Sequence, residues 1–486
     1  MKTEALYHRM PISAQHAVCS LVGWRIQHTR FGSGFTQQLL AAEQRQRWSS
    51  DQMLVFRDRR LQNFVRHAAA TVPYYRELFR EHGVNPERIR TLDDMRVFPV
   101  LTKSVVQERQ QHFVSSAIMP RDWRVTHTSG TTGGGLRFPT TLAAMQEQWA
   151  VWWRFRRRLG ISLRTWCGYF GGRSVVPIAQ TKAPYWRYNW PGRQILFSGY
   201  HLAPDTLGQY VEELNRSQPA WLHGYPSILS LLAEHLLSTG QSLKYQPKFI
   251  TTGSENLQAR QSAAMERAFG VRPANNYGLT EAAANVSECT QGRLHVDEDF
   301  AAVEFLPNNG GGWRVVGTNF TNPAFPLLRY DVGDVVELDE RSCDCGLPGR
   351  TISAIDGRSE DYVVLRNGAR IGRMDHVFKD MTAVREAQIF QNRPGVLMVR
   401  VVKNPGFSEL DERHLRQEFF QRLGDQADVQ FDYVPKIART QQGKLRFVVS
   451  GLRDTPEMAN SVPPAAPSDV TADADWESRE LTAAIA

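Results

Sequence analysis

The chain has 486 residues, 42% of them hydrophobic and 22% charged, with a formal net charge of +8, a balance that suits a globular protein of two or three domains. No run of eighteen apolar residues occurs, and the N-terminal stretch lacks the apolar core and cleavage site of a secretory leader. Five cysteines make no disulfide framework, so a cytoplasmic protein without membrane insertion is expected.

Up to about His112 the chain reads as helices. "DQMLVFRDRRLQNFVRHAAATV" repeats apolar residues at three- and four-residue spacing. "VPYYRELFREHG" opens on Pro73, which suits a first helical turn, and stops at Gly83. From Val125 onward, short apolar runs alternate with helical patterns. "WLHGY" and "KFITTGSE" read as buried strands ending in Gly-rich loops, and "PSILSLLAEHLLSTG" and "LQARQSAAMERAFG" as the helices after them. The arginines of "WWRFRRRLG" suit a solvated helix face better than a nucleic-acid site, and no zinc-finger, RRM or helix-turn-helix signature points to nucleic acid. From "RYDVGDVVEL" to "TISAIDGR" the segments are short and alternating, which predicts a small barrel or antiparallel unit. A compact α+β unit follows from about Gly357 to Leu452. The tail is rich in Pro, Ala and acid, too poor in apolar residues for a core, and is expected to be disordered.

The predicted fold class is therefore α/β. A large N-terminal domain has mostly parallel sheets flanked by helices, with a small β-rich subdomain, and a small α+β domain follows. The expected divisions are a helical region 1–112 packed on the large domain, a core 113–356, the C-terminal domain 357–452 and an acidic tail 453–486. Ligands on such sheets bind at the carboxyl ends of the strands.

The densest chemical signal is "THTSGTTGGGLRFPTT", Thr126–Thr141. Ser129, Gly130, Thr131, Thr132 and Gly133 offer hydroxyls and approachable N–H groups to pyrophosphate, although a surface hairpin has the same composition. No lysine follows the glycines, so the cation for a triphosphate must come from elsewhere. In "NNYGLTE", Tyr277 and Gly278 suit an adenine ring, and Thr280 and Glu281 offer oxygens to Mg²⁺. A turn into a capped helix is the alternative. Asp334 in "RYDVGD" can accept two ribose hydroxyls, and Lys444 in "TQQGKLRF" sits on a Gly-anchored turn, although a lone lysine is ordinarily a solvated side chain. Cys289-x₅-His295 and Cys343-x-Cys345 together make a legitimate tetrahedral zinc set, though neither pair has finger spacing. Cys19 and Cys167 read as small buried hydrophobes.

In this order and spacing these elements resemble the adenylate-forming superfamily of acyl-CoA synthetases, luciferases and nonribosomal adenylation domains. The nearer resemblance is to phenylacetate–CoA ligase and its capsule-cluster, CapK-type relatives. It is carried by "FPVLTK", "TSGTTGGGLRF", "LHGYPSILSLLAEHL", "TTGSENL", "YGLTEAAANVSEC", "RYDVGD", "CDCGLPGRTISAIDGRSEDYVV" and "GKLRFVVS", from about Arg45 to Ser450.

The resemblance implies that Thr128 to Gly133 form the phosphate loop and that Glu255 borders the adenine and acyl pockets. It makes Asn276, Tyr277 and Gly278 nucleotide-binding, with Tyr277 packed on adenine. Thr280 and Glu281 sit at the phosphates and magnesium, Asp334 at the ribose and Arg358 near the domain junction. Lys444 arrives from a mobile C-terminal lid. Similar Cys/His placement in such relatives favours structural zinc.

Two features depart from the family. Gly134, Gly135 and Leu136 stand where many members carry a lysine, and Glu360 takes the place of the hinge aspartate. The implied activity uses ATP, Mg²⁺ and coenzyme A to turn a small carboxylic acid into an acyl-adenylate and then a thioester, in a monomer or homodimer. Transfer to an amine or hydroxyl, as in surface polysaccharide or specialised metabolite synthesis, is the alternative, and a catalytically silent scaffold a third. The aromatic residues of "WCGYFGG" and "KAPYWRYNWPGRQILFSGYHL" favour a flat or aromatic acid.

Overall fold

The helical spacing of the first hundred residues forms α1 (Lys2–Arg9), α2 (Ile12–Arg30), α3 (Ser33–Arg45), α4 (Ser50–Thr71), α5 (Pro73–Glu81) and α6 (Lys103–Glu108). These elements are seen in a computed structural model. It describes residues 2–128, 136–172, 174–308, 311–339, 341, 343–356, 362–372, 374–378, 381, 383–404, 406–437 and 447–452. Ser129, Gly130, Thr131, Thr132, Gly133, Arg358, Glu360, Lys444 and the tail from residue 453 lie outside the described residues.

Ser49 starts α4 with a reciprocal capping box to Gln52. Val72 interrupts the helical run, and Pro73 restarts it as α5 at a position where its missing N–H would have no helical partner. Leu61, Phe64 and Val65 of α4 and Tyr75 and Phe79 of α5 bury in one core with Phe320, Phe325, Leu327 and Leu328. The Tyr75 hydroxyl is satisfied on both sides. It donates to Pro326 O (3.2 Å) and accepts from Leu328 N–H (2.8 Å).

After an antiparallel hairpin, β1 (Trp123–His127) and β2 (Arg137–Thr141), the Thr141 hydroxyl caps α7 (Leu142–Arg158) by accepting from Ala144 N–H at 3.1 Å. Then follow β3 (Cys167–Gly171), β4 (Trp186–Asn189), β5 (Gln194–Ser198), α8 (Leu207–Ser217), β6 (Trp221–Gly224), α9 (Pro226–Thr239), β7 (Phe249–Gly253), α10 (Ala259–Phe269) and β8 (Ala274–Gly278). Both α9 and α10 end at a glycine in the left-handed region, Gly240 (φ 67°) and Gly270 (φ 72°). Strands β5, β3, β6, β7 and β8 pair in parallel in that order, with β4 antiparallel at the edge. Side chains alternate between two cores. Phe170, Leu222 and Ile250 face α8, α9 and α10, while Cys167 and Trp221 face α7 and α3.

The β-rich segment is not a separate barrel. β9 (Asn285–Glu288) turns back against β8, with Val286 opposite Tyr277. β10 (Leu294–Val296), β11 (Ala302–Pro307), β12 (Trp313–Thr318), β13 (Tyr330–Leu338) and β14 (Thr351–Asp356) continue the same sheet, in the order β11-β12-β13-β14-β10-β9-β8, to twelve strands among the described residues. A separate unit would have left the β8 ladder open at its edge, and β9 occupies that edge instead.

The C-terminal domain pairs β15 (Tyr362–Val364) with β16 (Arg370–Gly372). It packs α11 (Glu409–Leu423) on a second sheet of β17 (Val384–Arg393), β18 (Val396–Lys403), β19 (Asp428–Tyr433) and β20 (Val448–Ser450). Its core also takes in Tyr200 and Ala203 from the large domain, and Arg422 Nη1 donates to the Tyr200 hydroxyl at 3.4 Å.

Candidate active site

The parallel strands β6, β7 and β8 end in Gly224, Gly253 and Gly278, and Glu255, Asn276, Tyr277 and Gly278 of the expected nucleotide residues lie at or just beyond these ends. The Gly-rich loop expected to hold phosphate has a closed neck. Thr128 N–H donates to Leu136 O (2.9 Å), and Leu136 N–H donates to the Thr128 hydroxyl (2.8 Å). Both residues are buried, and Phe138, two residues on, stacks on Phe325 with ring centres 5.1 Å apart. The seven residues between the two ends, 129–135, lie outside the described set.

Tyr277 and Asp334 come together from strands 57 residues apart, and the phenol donates to Asp334 Oδ2 at 2.8 Å. Asp334 is only 9% exposed, so its carboxylate meets hydrogen-bond donors with little competition from water. Gly278 is required for space. A Cβ there would stand 2.7 Å from Asn285 Oδ1 and 2.9 Å from Trp152 Nε1. Asn276 spends its amide on Val286 O (3.1 Å), which fixes the β8–β9 pair.

Beyond Gly278 the chain makes a turn, not the capped helix that was the alternative. Ala282 takes φ 57°, Leu279 O accepts from Gln148 Nε2 (2.7 Å), and Glu281 O accepts from Asn319 Nδ2 (3.0 Å). Thr280 is exposed and Glu281 half-buried at this turn, and both offer the hard oxygen donors that Mg²⁺ prefers.

Glu255 follows Ser254, whose φ is 66°. Its Oε2 accepts from Ser227 N–H at 3.0 Å in the first turn of α9, where the helix dipole favours a carboxylate. Its Oε1 faces Gly372 of β16, where an added Cβ would stand 3.0 Å away. The C-terminal domain therefore rests against the carboxyl edge of the sheet.

A second cluster lies across β9, β10 and the connection from β13 to β14. The ligand atoms of Cys289, His295, Cys343 and Cys345 all fall within 4.8 Å of one another. Cys289 Sγ is 3.8 Å from Cys343 Sγ, and Cys345 Sγ is 3.3 Å from His295 Nε2. A tetrahedral zinc with ~2.3 Å Zn–S bonds would set sulfurs about 3.8 Å apart. Burial, helped by the Arg158 charge, pushes His295 below the usual histidine range and keeps its ring neutral, the form that binds metal. The four side chains fit zinc in donor type and spacing.

The CapK C-terminal domain family matches residues 363–451. Over nearly its whole length the chain is similar to protein CapK of Staphylococcus aureus, with 26% identity across 92% of this chain and 99% of that protein. The chain is therefore similar to CapK over most of its length. Phenylacetate–coenzyme A ligase of Escherichia coli is 26% identical over 65% of the CapK-like chain and 74% of its own. The fold is shared with 2-hydroxyisobutyryl-CoA ligase, solved with its acyl-AMP and CoA in the thioesterification state. That likeness has a TM-score of 0.53 at 20% identity and covers 84% of this chain and 91% of that one.

The CapK-like chain differs from its sequence reading at "WWRFRRRLG", which is no solvated face. Arg154 donates to Asp297 Oδ1 (2.7 Å) and to both oxygens of Asp299 (2.7 and 2.9 Å), and Arg45 of α3 joins Asp299 at 2.6 Å. Arg57 of α4 and Arg350 converge on Glu298 (3.1 and 2.6 Å). These pairs fasten the N-terminal helices to the sheet. Their acids stand together in "DEDF", a triplet too exposed in composition for the sequence to mark as buried. Cys167 is buried as expected, whereas Cys19 is half-buried, with its sulfur 3.4 Å from the Tyr7 hydroxyl.

Proposed function

We propose that the chain activates a carboxylic acid with ATP and Mg²⁺, then passes the acyl group to the thiol of coenzyme A. The observation that carries this is the Tyr277–Asp334 pair at the carboxyl end of β8. The substrate carboxylate oxygen attacks the α-phosphorus, a P–O bond forms, and pyrophosphate leaves. The thiol then attacks the acyl carbon and AMP leaves with the bonding pair.

In this reading Asp334 accepts the ribose hydroxyls and Tyr277 covers adenine, with Asn276 and Gly278 beside it. Thr128, Ser129, Gly130, Thr131, Thr132 and Gly133 wrap the phosphates. Thr280 and Glu281 hold Mg²⁺, and Arg358 steadies the nucleotide at the domain junction. Negative charge builds where carboxylate meets phosphate, and a preorganised cation counts most there. Lys444 supplies it as the lid, pivoting at Glu360, swings in, so the glycine loop needs no lysine of its own. Cys289, His295, Cys343 and Cys345 hold a structural zinc that ties the connection between β13 and β14 to β9 and β10. With four protein ligands it has no open position and takes no part in the reaction.

A second reading keeps the adenylate but delivers the acyl group to an amine or hydroxyl, as in surface polysaccharide synthesis. The C-terminal domain favours it. Residues 363–451 match the CapK family, while the likeness to phenylacetate–CoA ligase covers only 65% of the chain. Product analysis separates the readings. ATP and an accepted acid are supplied with coenzyme A, an amine or a sugar. Thioester formation supports the first reading, and amide or ester formation without coenzyme A replaces it with the second.

A further inference from the structure

One cation of α7 has no role in the chemistry above. Arg156 lies between three indoles, its guanidinium carbon 5.1 Å from the Trp153 ring centre, 5.2 Å from Trp221 and 5.8 Å from Trp149. Its neighbours are all paired. Arg154 meets Asp297 and Asp299, Arg157 meets Glu43, and Arg158 donates to Gln46 Oε1 and Glu288 O. The Arg156 guanidinium has no hydrogen bond or ion pair among the described residues, and no carboxylate acts on it. Burial without an anion brings its pKa down to about 10. Indole faces attract the charge but accept none of its five N–H bonds. The Nε of Arg154 is sealed in protein, whereas Arg156 is half-buried.

Arg156 lies below the carboxyl edge of the sheet. Trp152 touches the position of Gly278, its ring centre is 4.8 Å from that of Trp149, and Arg156 stands one helical turn, about 6 Å, further down α7. The facing wall is Tyr169 of β3 and His223 of β6, with ring centres 5.7 Å apart and both half-buried. His223 Nδ1 is held 2.9 Å from the Thr251 hydroxyl, and burial with the Arg156 charge keeps the ring neutral, at about 3.

We propose that the aromatic side chains around Arg156 receive the acyl group, and that Arg156 binds a second anionic group on it. The substrate class is a carboxylic acid with a distal carboxylate or comparable anion, roughly one helical turn from the carboxyl that reacts. The flat rings of Trp149, Trp152 and Tyr169 flank the carbon skeleton between the two anions. This assignment rests on the ligase reading and names its substrate.

The test uses matched acids in ATP–pyrophosphate exchange: adipate against hexanoate, and 4-carboxyphenylacetate against phenylacetate. Wild type is expected to favour the diacid by about 10- to 100-fold in kcat/KM, the scale of a lost charge-assisted pair. Arg156→Met and Arg156→Gln should abolish that preference with KM for ATP and thermal unfolding unchanged. Diacids should also quench indole emission in wild type and not in the variants. Equal use of neutral acids by wild type, or a preference that survives Arg156→Met, overturns the proposal and leaves the ligase reading intact. Quenching by diacids in wild type alone, with no exchange for any acid, supports the pocket and overturns the ligase reading. Neither exchange nor quenching overturns both.

Discussion

Asp334→Ala tests the proposed ribose contact. The carboxylate is nearly buried and already accepts from the Tyr277 phenol at 2.8 Å, so it is oriented before nucleotide arrives. Two hydroxyl bonds to a charged acceptor contribute about 1.5–3 kcal/mol each. Water fills the vacated space and returns part of that, so a net loss near the low end, about 3 kcal/mol, is expected, or roughly 100-fold in KM for ATP. Tyr277→Phe keeps the ring and removes only the phenol that orients Asp334, for a loss of about tenfold. The two changes should not add. In the Asp334→Ala background, Tyr277→Phe should matter by less than about threefold, since the phenol then has nothing to orient. The assay is steady-state kinetics with ATP and 2′-deoxy-ATP on the four proteins of the cycle. Wild type should discriminate between the nucleotides, and Asp334→Ala should not. Undiminished discrimination in Asp334→Ala would refute the ribose assignment, and full additivity would refute the orienting bond.

Three further outcomes follow from the same geometry. Asp299→Asn should lower unfolding stability by about 3–5 kcal/mol in urea titration, because it leaves Arg45 and Arg154 facing a neutral amide. Burial alone would raise the Asp299 carboxyl, but Arg154 and Arg45 outweigh it and hold it far below the carboxylate range. The stabilisation is therefore complete above about pH 4 and fades as pH falls below that, and the variant should lose this acid slope. Protein purified without chelator should carry near one equivalent of zinc and Cys343→Ser much less; less than about a tenth in wild type would remove the metal assignment. Glu360→Pro, by stiffening the pivot, should spare adenylation and block thioester formation from synthetic acyl-AMP; equal loss of both steps would contradict an alternating lid.

Much of the fold was legible in the sequence because its signals are local. The Ser49 cap, Pro73 at the start of α5, and the glycines closing α9 and α10 each act within one turn of chain. What local signals could not carry was long-range pairing. The β8–β9 pairing merges two expected units into one sheet, and it depends on which edge is left open. The inward turn of Arg154 depends on Asp297 and Asp299, more than 140 residues away. A run of arginines on a helix reads as surface until its acids are found. The approach of Gly372 to Glu255 likewise depends on how one domain rests on another.

The most direct measurement of the central claim is acid-dependent ATP–pyrophosphate exchange, run on wild type and on Lys444→Ala across a panel of mono- and dicarboxylic acids. Exchange should appear with a subset of acids in wild type and fall by at least about 100-fold in Lys444→Ala, the scale of removing one preorganised transition-state contact. Silence with every acid in folded, ATP-binding wild type would contradict carboxylate activation and leave a scaffold. Equal exchange in both proteins would contradict the role of Lys444 as the incoming cation.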